Sequence, residues 1–204
     1  MITIIDYGAG NIKSIKNMLL KLGNEALITN SKDDILKAEK LILPGVGHFD
    51  HGMKALRNSG LEEALNQRVK EDKVPLLGIC LGAQLLGKSS EEGDEAGLAW
   101  IDMEVVKFNQ NLFNENLKIP HMGWNYIQSQ NTSPLIQNLP KDPRFYFVHN
   151  YHMQCYHKED ILCTTQYGYE FTSVVAQNNV FGVQFHPEKS HVFGMRILEN
   201  FSSL

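Results

Sequence analysis

Cysteine is scarce in this chain. There are three among 204 residues, Cys80, Cys155 and Cys163, at spacings that match no metal-ligand pattern. An odd, small number excludes a framework that pairs every thiol. It fits a reducing compartment, so a cytoplasmic location is expected. No apolar run approaches the length needed to cross a bilayer, so no membrane association is expected. The first residues, Met1-Ile2-Thr3-Ile4-Ile5-Asp6, lack the basic start of a secretion signal and read as a strand. Long blocks of like charge are missing too, and the net charge is −4, which argues against a nucleic-acid surface. Gly8-Ala9-Gly10 lacks the third glycine of a dinucleotide fingerprint and reads as a tight strand-to-helix turn. His48 and His51 have helical ligand spacing but no third ligand arranged with them, so neither a metal nor another cofactor is expected. With no repeat and no low-complexity linker, residues 1–204 read as one domain large enough for a sizeable core.

What is present alternates. Ile2–Ile5 reads as a strand, and Asn11–Leu22 as a helix with Ile12, Ile15, Leu19 and Leu22 on one side and Gly23 as its stop. Ala26–Thr29 and Lys40–Leu43 read as strands, the second ending at Pro44-Gly45. Met53–Lys70 carries a helical pattern interrupted near Ser59-Gly60. This alternation predicts a parallel sheet with helices on both faces. Beyond residue 100, strand-like segments follow one another around 104–108, 125–128, 145–148, 161–167 and 171–177. Asn178-Asn179 is placed as a hairpin turn, and a closing helix is expected over 192–201. The expected fold is α/β: a single domain with a mostly parallel central sheet, flanking helices and added antiparallel strands.

Cys80 lies where the apolar run Val74-Pro75-Leu76-Leu77-Gly78-Ile79 gives way to the helical pattern beginning at Leu81. A thiol on a tight strand-to-helix turn, flanked by Gly78 and Gly82, is the sequence form of a nucleophile elbow. The following helix N-terminus favours negative charge and so enriches the thiolate, the attacking species in acyl transfer. A base is available at His186. There the alternation Phe181, Val183, Phe185 reads as a strand that Pro187 ends at His186. Glu188, two residues on, points to the same side of an extended chain and can hold one imidazole nitrogen while the other faces the thiol. Both Cys80 and His186 then sit at carboxyl ends of strands, where open α/β sheets bind ligands. Donors for a developing oxyanion are the Leu81 N–H and the glycine-flexible Pro44-Gly45-Val46-Gly47, which also follows a strand.

Gly78-Ile79-Cys80-Leu81-Gly82-Ala83-Gln84 and His186-Pro187-Glu188 resemble the signature of class I, triad-type glutamine amidotransferases. Asp6-Tyr7-Gly8-Ala9-Gly10-Asn11, Pro44–Gly47, Pro120-His121-Met122-Gly123-Trp124-Asn125, Phe145-Tyr146-Phe147-Val148-His149 and Lys189-Ser190 narrow the likeness. Together they look like the glutaminase subunits of bacterial imidazole glycerol phosphate synthase, over essentially the whole chain. The resemblance implies a Cys80, His186, Glu188 triad. It also implies an oxyanion hole from Val46 or Gly47 and Leu81, and contacts to L-glutamine from Gly45, Gln84, Glu92, His149 and Asn150. It implies as well a (β/α)8-barrel synthase partner that receives ammonia, met near Asn11, Trp124, Tyr146 and Lys189. Lys189-Ser190-His191-Val192-Phe193-Gly194-Met195 departs from the Ser-Gly-rich continuation of histidine-pathway subunits. A related subunit aminating a surface-polysaccharide sugar precursor therefore stays open as the alternative.

Overall fold

Strand and helix patterns alternate along the first half of the chain, and the structure turns that alternation into parallel pairing. It is a computed structural model describing residues 1–113 and 116–204. Strands β1 (Ile2–Ile5), β2 (Ala26–Thr29), β3 (Lys40–Gly45), β4 (Leu76–Cys80) and β12 (Val180–Val183) run parallel in the order β2-β1-β3-β4-β12. Antiparallel strands extend the sheet past β12. They are β11 (Tyr169–Gln177), β10 (Ile161–Tyr167) and β7 (Gln128–Ser129), while β9 (Tyr151–Cys155) bridges β11 to β5 (Met103–Lys107). A separate two-stranded ribbon is made by β6 (His121–Tyr126) and β8 (Arg144–His149).

The inner parallel strands β3, β4 and β12 are buried on both sides, as covered parallel strands are. Leu41 and Leu43 of β3 and Leu76 of β4 join one core layer with Phe49, Met53 and Leu56 of α3 (Phe49–Asn58). The alternate residues Ile42, Leu77 and Ile79 join the other layer. That layer holds Ile15 and Leu19 of α1 (Ile12–Lys21), Ile197 and Phe201 of α6 (His191–Ser202), and Phe145 and Phe147 of the ribbon. Full burial of such a side chain stabilises the fold by about 1.5–3 kcal/mol.

Several details differ from expectation. The helix foreseen over 53–70 begins earlier, at Phe49, where the His48 ring accepts the Asp50 N–H at 3.2 Å. It breaks at Ser59-Gly60 and resumes as α4 (Glu62–Asn66), with a wider π turn over Gln67–Glu71. A short helix α2 (Lys32–Leu36) and strand β9 were not foreseen. Pairing of β12 stops at Val183, three residues before the expected end at His186. From there the chain leaves the sheet: the His186 N–H bonds to the Tyr146 carbonyl of the ribbon at 2.9 Å. The Asn178-Asn179 hairpin turn is present, with Asn178 at φ 56° and Gln177 opposite Val180. Among the described residues, no helix is long and apolar enough to cross a membrane.

Candidate active site

The elbow is built by strain on the cysteine itself. Cys80 has φ 53°, ψ −112°, a conformation that costs a non-glycine residue on the order of 1–3 kcal/mol. Gly78 and Gly82, expected to supply the unusual backbone, have a different task, close approach. A Cβ on Gly78 would lie 2.7 Å from the Ala83 Cα, and one on Gly82 would collide with the Leu43 carbonyl of β3. Helix α5 (Leu81–Gln84) is a single turn, so the expected dipole contribution reduces to the free N–H groups of that turn.

Cys80 and His186 border one cavity of about 280 Å³, together with Val46, Gly47, Leu81, Gln84, Glu92, Val148, His149, Asn150, Tyr151. His186 Nδ1 is 2.9 Å from Glu188 Oε1, and both side chains are almost wholly buried. The pair meets through a 3₁₀ turn over Pro187–Lys189 rather than along an extended strand. His186 Nε2 is buried on the edge of the ring away from Glu188, and Cys80 is the other group that acts on the ring. Burial disfavours the charged ring. Cys80 and Glu188, acting on either side of it, outweigh burial and raise its pKa to about 10.

Most residues named from the sequence converge here. Gly45 does not. It pairs with Cys80 across the sheet and lies under the cavity, where a Cβ would come within 2.6 Å of the Gly82 N–H. Gln84 is buried, not the surface residue a helical pattern alone suggests. Its amide nitrogen donates to the Tyr151 carbonyl at 3.1 Å and to Gln184 Oε1 at 3.0 Å. The acidic loop around Glu92 is tied down rather than simply solvated. Glu92 Oε2 accepts the Phe49 N–H at 2.8 Å, and the Asp50 carboxylate accepts the Glu95 N–H at 3.0 Å. The bond from Glu95 holds the Asp50 carboxyl below its usual range.

Three groups at the site were passed over in the sequence. Gln184 is fully buried, with its amide nitrogen 3.9 Å from the Cys80 sulfur. Tyr7 donates its hydroxyl to the Pro44 carbonyl at 2.7 Å, and burial together with nearby Cys80 pushes its phenol up. Ser190 is bonded to the main chain at His186. Gln184 carried a usable signal, since a polar residue inside a buried apolar run needs a specific partner.

Of the residues expected at a partner surface, Trp124 and Tyr146 lie on the ribbon, and Lys189 lies beside Tyr146 on the turn after His186. Trp124 is 44% exposed and flanked by exposed Met122 and Tyr126, so it is not core. Its ring stacks on His191 at 5.5 Å and meets Tyr146 edge-on, while the Lys189 ammonium lies 5.6 Å from the Tyr146 ring centre. Asn11 stands apart from these stacking contacts, at the N-cap of α1.

The chain as a whole has counterparts among known proteins. The family model described as glutamine amidotransferase class-I matches residues 3–203. The chain is 22% identical to a protein described as glutamine amidotransferase in a crystal structure, with a TM-score of 0.74 over 100% of this chain and 98% of that one. It shares the fold of a chain of PurLQS from Thermotoga maritima at TM-score 0.74 and 17% identity, over 99% of this chain and 97% of that one. The chain belongs to the class I glutamine amidotransferases. Two relatives are closer in sequence, both named imidazole glycerol phosphate synthase subunit HisH 2. The Methanococcus maripaludis protein is 55% identical over 98% of each chain, and the Pseudomonas aeruginosa protein 51% identical over 100% of each. Within the class, the chain thus falls in the family of imidazole glycerol phosphate synthase glutaminase subunits, each one part of a multi-subunit synthase.

Proposed function

We propose that residues 1–204 act as one glutamine amidotransferase domain. It hydrolyses L-glutamine to glutamate and ammonia as a subunit of imidazole glycerol phosphate synthase in histidine biosynthesis. The observation that carries the reading is His186, clamped by Glu188 through one nitrogen and bordering the same cavity as Cys80.

In this reading the Cys80 thiolate attacks the carboxamide carbon of glutamine, and the resulting oxyanion takes N–H bonds from Leu81 and from Val46 or Gly47. The His186 imidazolium gives its proton to the departing amide nitrogen as the C–N bond breaks and a thioester remains. His186, now neutral, takes a proton from water as the water oxygen attacks the thioester; the C–S bond breaks, releasing glutamate and restoring the thiolate and the imidazolium. Gln84 through its amide oxygen, Glu92, and the main chain at His149 and Asn150 orient the substrate, and Gly45 lets the strands bearing Val46 and Cys80 pack closely. Ammonia passes to a (β/α)8-barrel synthase subunit docked on the face bearing Trp124, Tyr146 and Lys189, with Asn11 beside it, in a cytoplasmic heterodimer. The full-length relatives favour this branch of the family over one that aminates a polysaccharide precursor.

Replacement Cys80→Ser in the assembled synthase tests the reading. Glutamine-dependent turnover is expected to fall at least about a thousandfold while turnover with added ammonia persists. Undiminished glutaminase turnover in that variant would refute it.

A further inference from the structure

Two buried imidazoles outside the proposed triad belong to a hydrogen-bond chain whose direction follows from its chemistry. The Tyr151 carbonyl oxygen is bonded to His149 Nδ1 at 2.8 Å and to Gln84 Nε2 at 3.1 Å. A carbonyl only accepts, so both partners present N–H. His149 Nε2 is then the bare nitrogen of a neutral ring, and it accepts from His121 Nδ1 at 2.8 Å. His121 Nε2, bare in turn, accepts from the Asn125 amide at 3.2 Å. On the other side of Tyr151, the second amide hydrogen of Gln84 goes to Gln184 Oε1 at 3.0 Å. That bond turns the Gln184 nitrogen toward the Cys80 sulfur, 3.9 Å away. Burial keeps both rings neutral, as the chain requires: it lowers the His121 pKa to about 4 and that of His149 well below the usual range.

One acceptor thus decides the orientation of every group on both sides. If the Tyr151 carbonyl moved, Gln84 and Gln184 would be free to flip, and a flipped Gln184 would face the sulfur with an oxygen. His149 reaches that carbonyl from the ribbon, backed by His121, which sits opposite it across β6 and β8.

We propose that His121 and His149 are positioning residues for the nucleophile. Acting in series, His121 bonds His149 and the His149 ring occupies one lone pair of the Tyr151 carbonyl, and the two so hold Gln84 and Gln184 in the orientation that places an N–H on the Cys80 sulfur. The inference rests on the reading of Cys80 as the nucleophile.

Two substitutions separate hydrogen bonding from packing. His121 stacks on Phe147 at 4.8 Å and on Tyr167 at 4.0 Å. His121→Phe keeps the stacked ring and removes the donor, whereas His121→Asn keeps a donor at the Nδ1 position and removes the stacking. Glutaminase kinetics are measured in the assembled synthase, and iodoacetamide alkylation of Cys80 is followed by peptide mass spectrometry. The Phe variant is expected to lose about tenfold in kcat with KM within about twofold, and to alkylate several-fold more slowly; the Asn variant stays within about threefold of the parent in each. Parental behaviour of the Phe variant, or impairment of the Asn variant equal to or beyond that of the Phe variant, overturns the proposal. A parent chain that hydrolyses no glutamine yet shows the expected alkylation pattern would remove the proposed function and leave the positioning role standing. Equal alkylation in all three proteins would remove the positioning role, whatever the parent hydrolyses.

Discussion

Ser190 holds His186 by its main chain. The serine hydroxyl donates to the His186 carbonyl oxygen at 2.6 Å and accepts the Tyr146 N–H at 3.0 Å, with Ser190 fully buried. One side chain thereby ties the turn carrying the imidazole to the strand carrying an aromatic of the proposed docking face.

Ser190→Ala leaves a buried carbonyl and a buried N–H without this partner. Stability should fall by about 1–3 kcal/mol, read from urea unfolding. Glutaminase kcat should fall by roughly tenfold through loss of imidazole placement, with a smaller change in KM. A variant as stable and as active as the parent would show that the turn holds itself.

The two glycine positions flanking the oxyanion segment should respond differently. Gly82→Ala drives a Cβ into the Leu43 carbonyl, which is backbone in the sheet centre and cannot step aside, so a loss of about 2–3 kcal/mol is expected in urea unfolding. Gly47→Ala meets nothing within 4 Å, but Gly47 has φ +101°. Its penalty should be smaller, about 1 kcal/mol, and its larger effect should be on turnover.

Stability should peak near neutral pH for two opposed reasons. His186 has its pKa raised to about 10, so its contribution is complete below about 6.5, the unfolded value, and is lost as pH climbs through 10. His121, lowered to about 4, acts in the other direction. Between 6.5 and 4 the unfolded chain takes up a proton that the folded chain refuses, so stability falls as the solution is acidified. Urea midpoints measured across the range check both limbs. Glu188→Gln should flatten the alkaline limb, and His121→Asn should make the acid limb shallower, with buried His149 and His152 supplying the rest.

Trp124→Ala should weaken docking of the synthase partner by about 2 kcal/mol or more in titration calorimetry, a typical loss for an exposed aromatic anchor. Because Trp124 is half exposed, the thermal midpoint of the isolated chain should barely move. Unchanged affinity would place the partner elsewhere.

Much of the scaffold was legible because its strands are short apolar runs bounded by turn residues. Ile2–Ile5, Ala26–Thr29 and the turn at Asn178 fall where the pattern puts them. Cys80 and His186 were legible together because each follows such a run. β9 was not, since Tyr151-His152-Met153-Gln154-Cys155 mixes polar and apolar residues without strict alternation. His152 is buried against Phe108 and Phe171, with its Nε2 2.9 Å from the Tyr169 hydroxyl, and these partners come from other strands and loops. Helix α2 was missed because a single buried residue, Ile35, anchors it. The turn that brings Glu188 to His186 was misjudged as extended chain, since Pro187 starts a 3₁₀ turn as readily as it ends a strand. Gln84 and Gln184 owe their orientation to the Tyr151 carbonyl, a contact that no local sequence window contains.

The strand carrying Cys80 has β3 on one edge and β12 on the other, and β12 arrives a hundred residues later in the chain. A polypeptide still emerging from the ribosome therefore displays β4 with one flank unclothed, and its sulfur has no imidazole for company. The pairing that the proposed chemistry needs waits until residues 180–188 have been made, and the same delay leaves the half-made sheet exposed to aggregation.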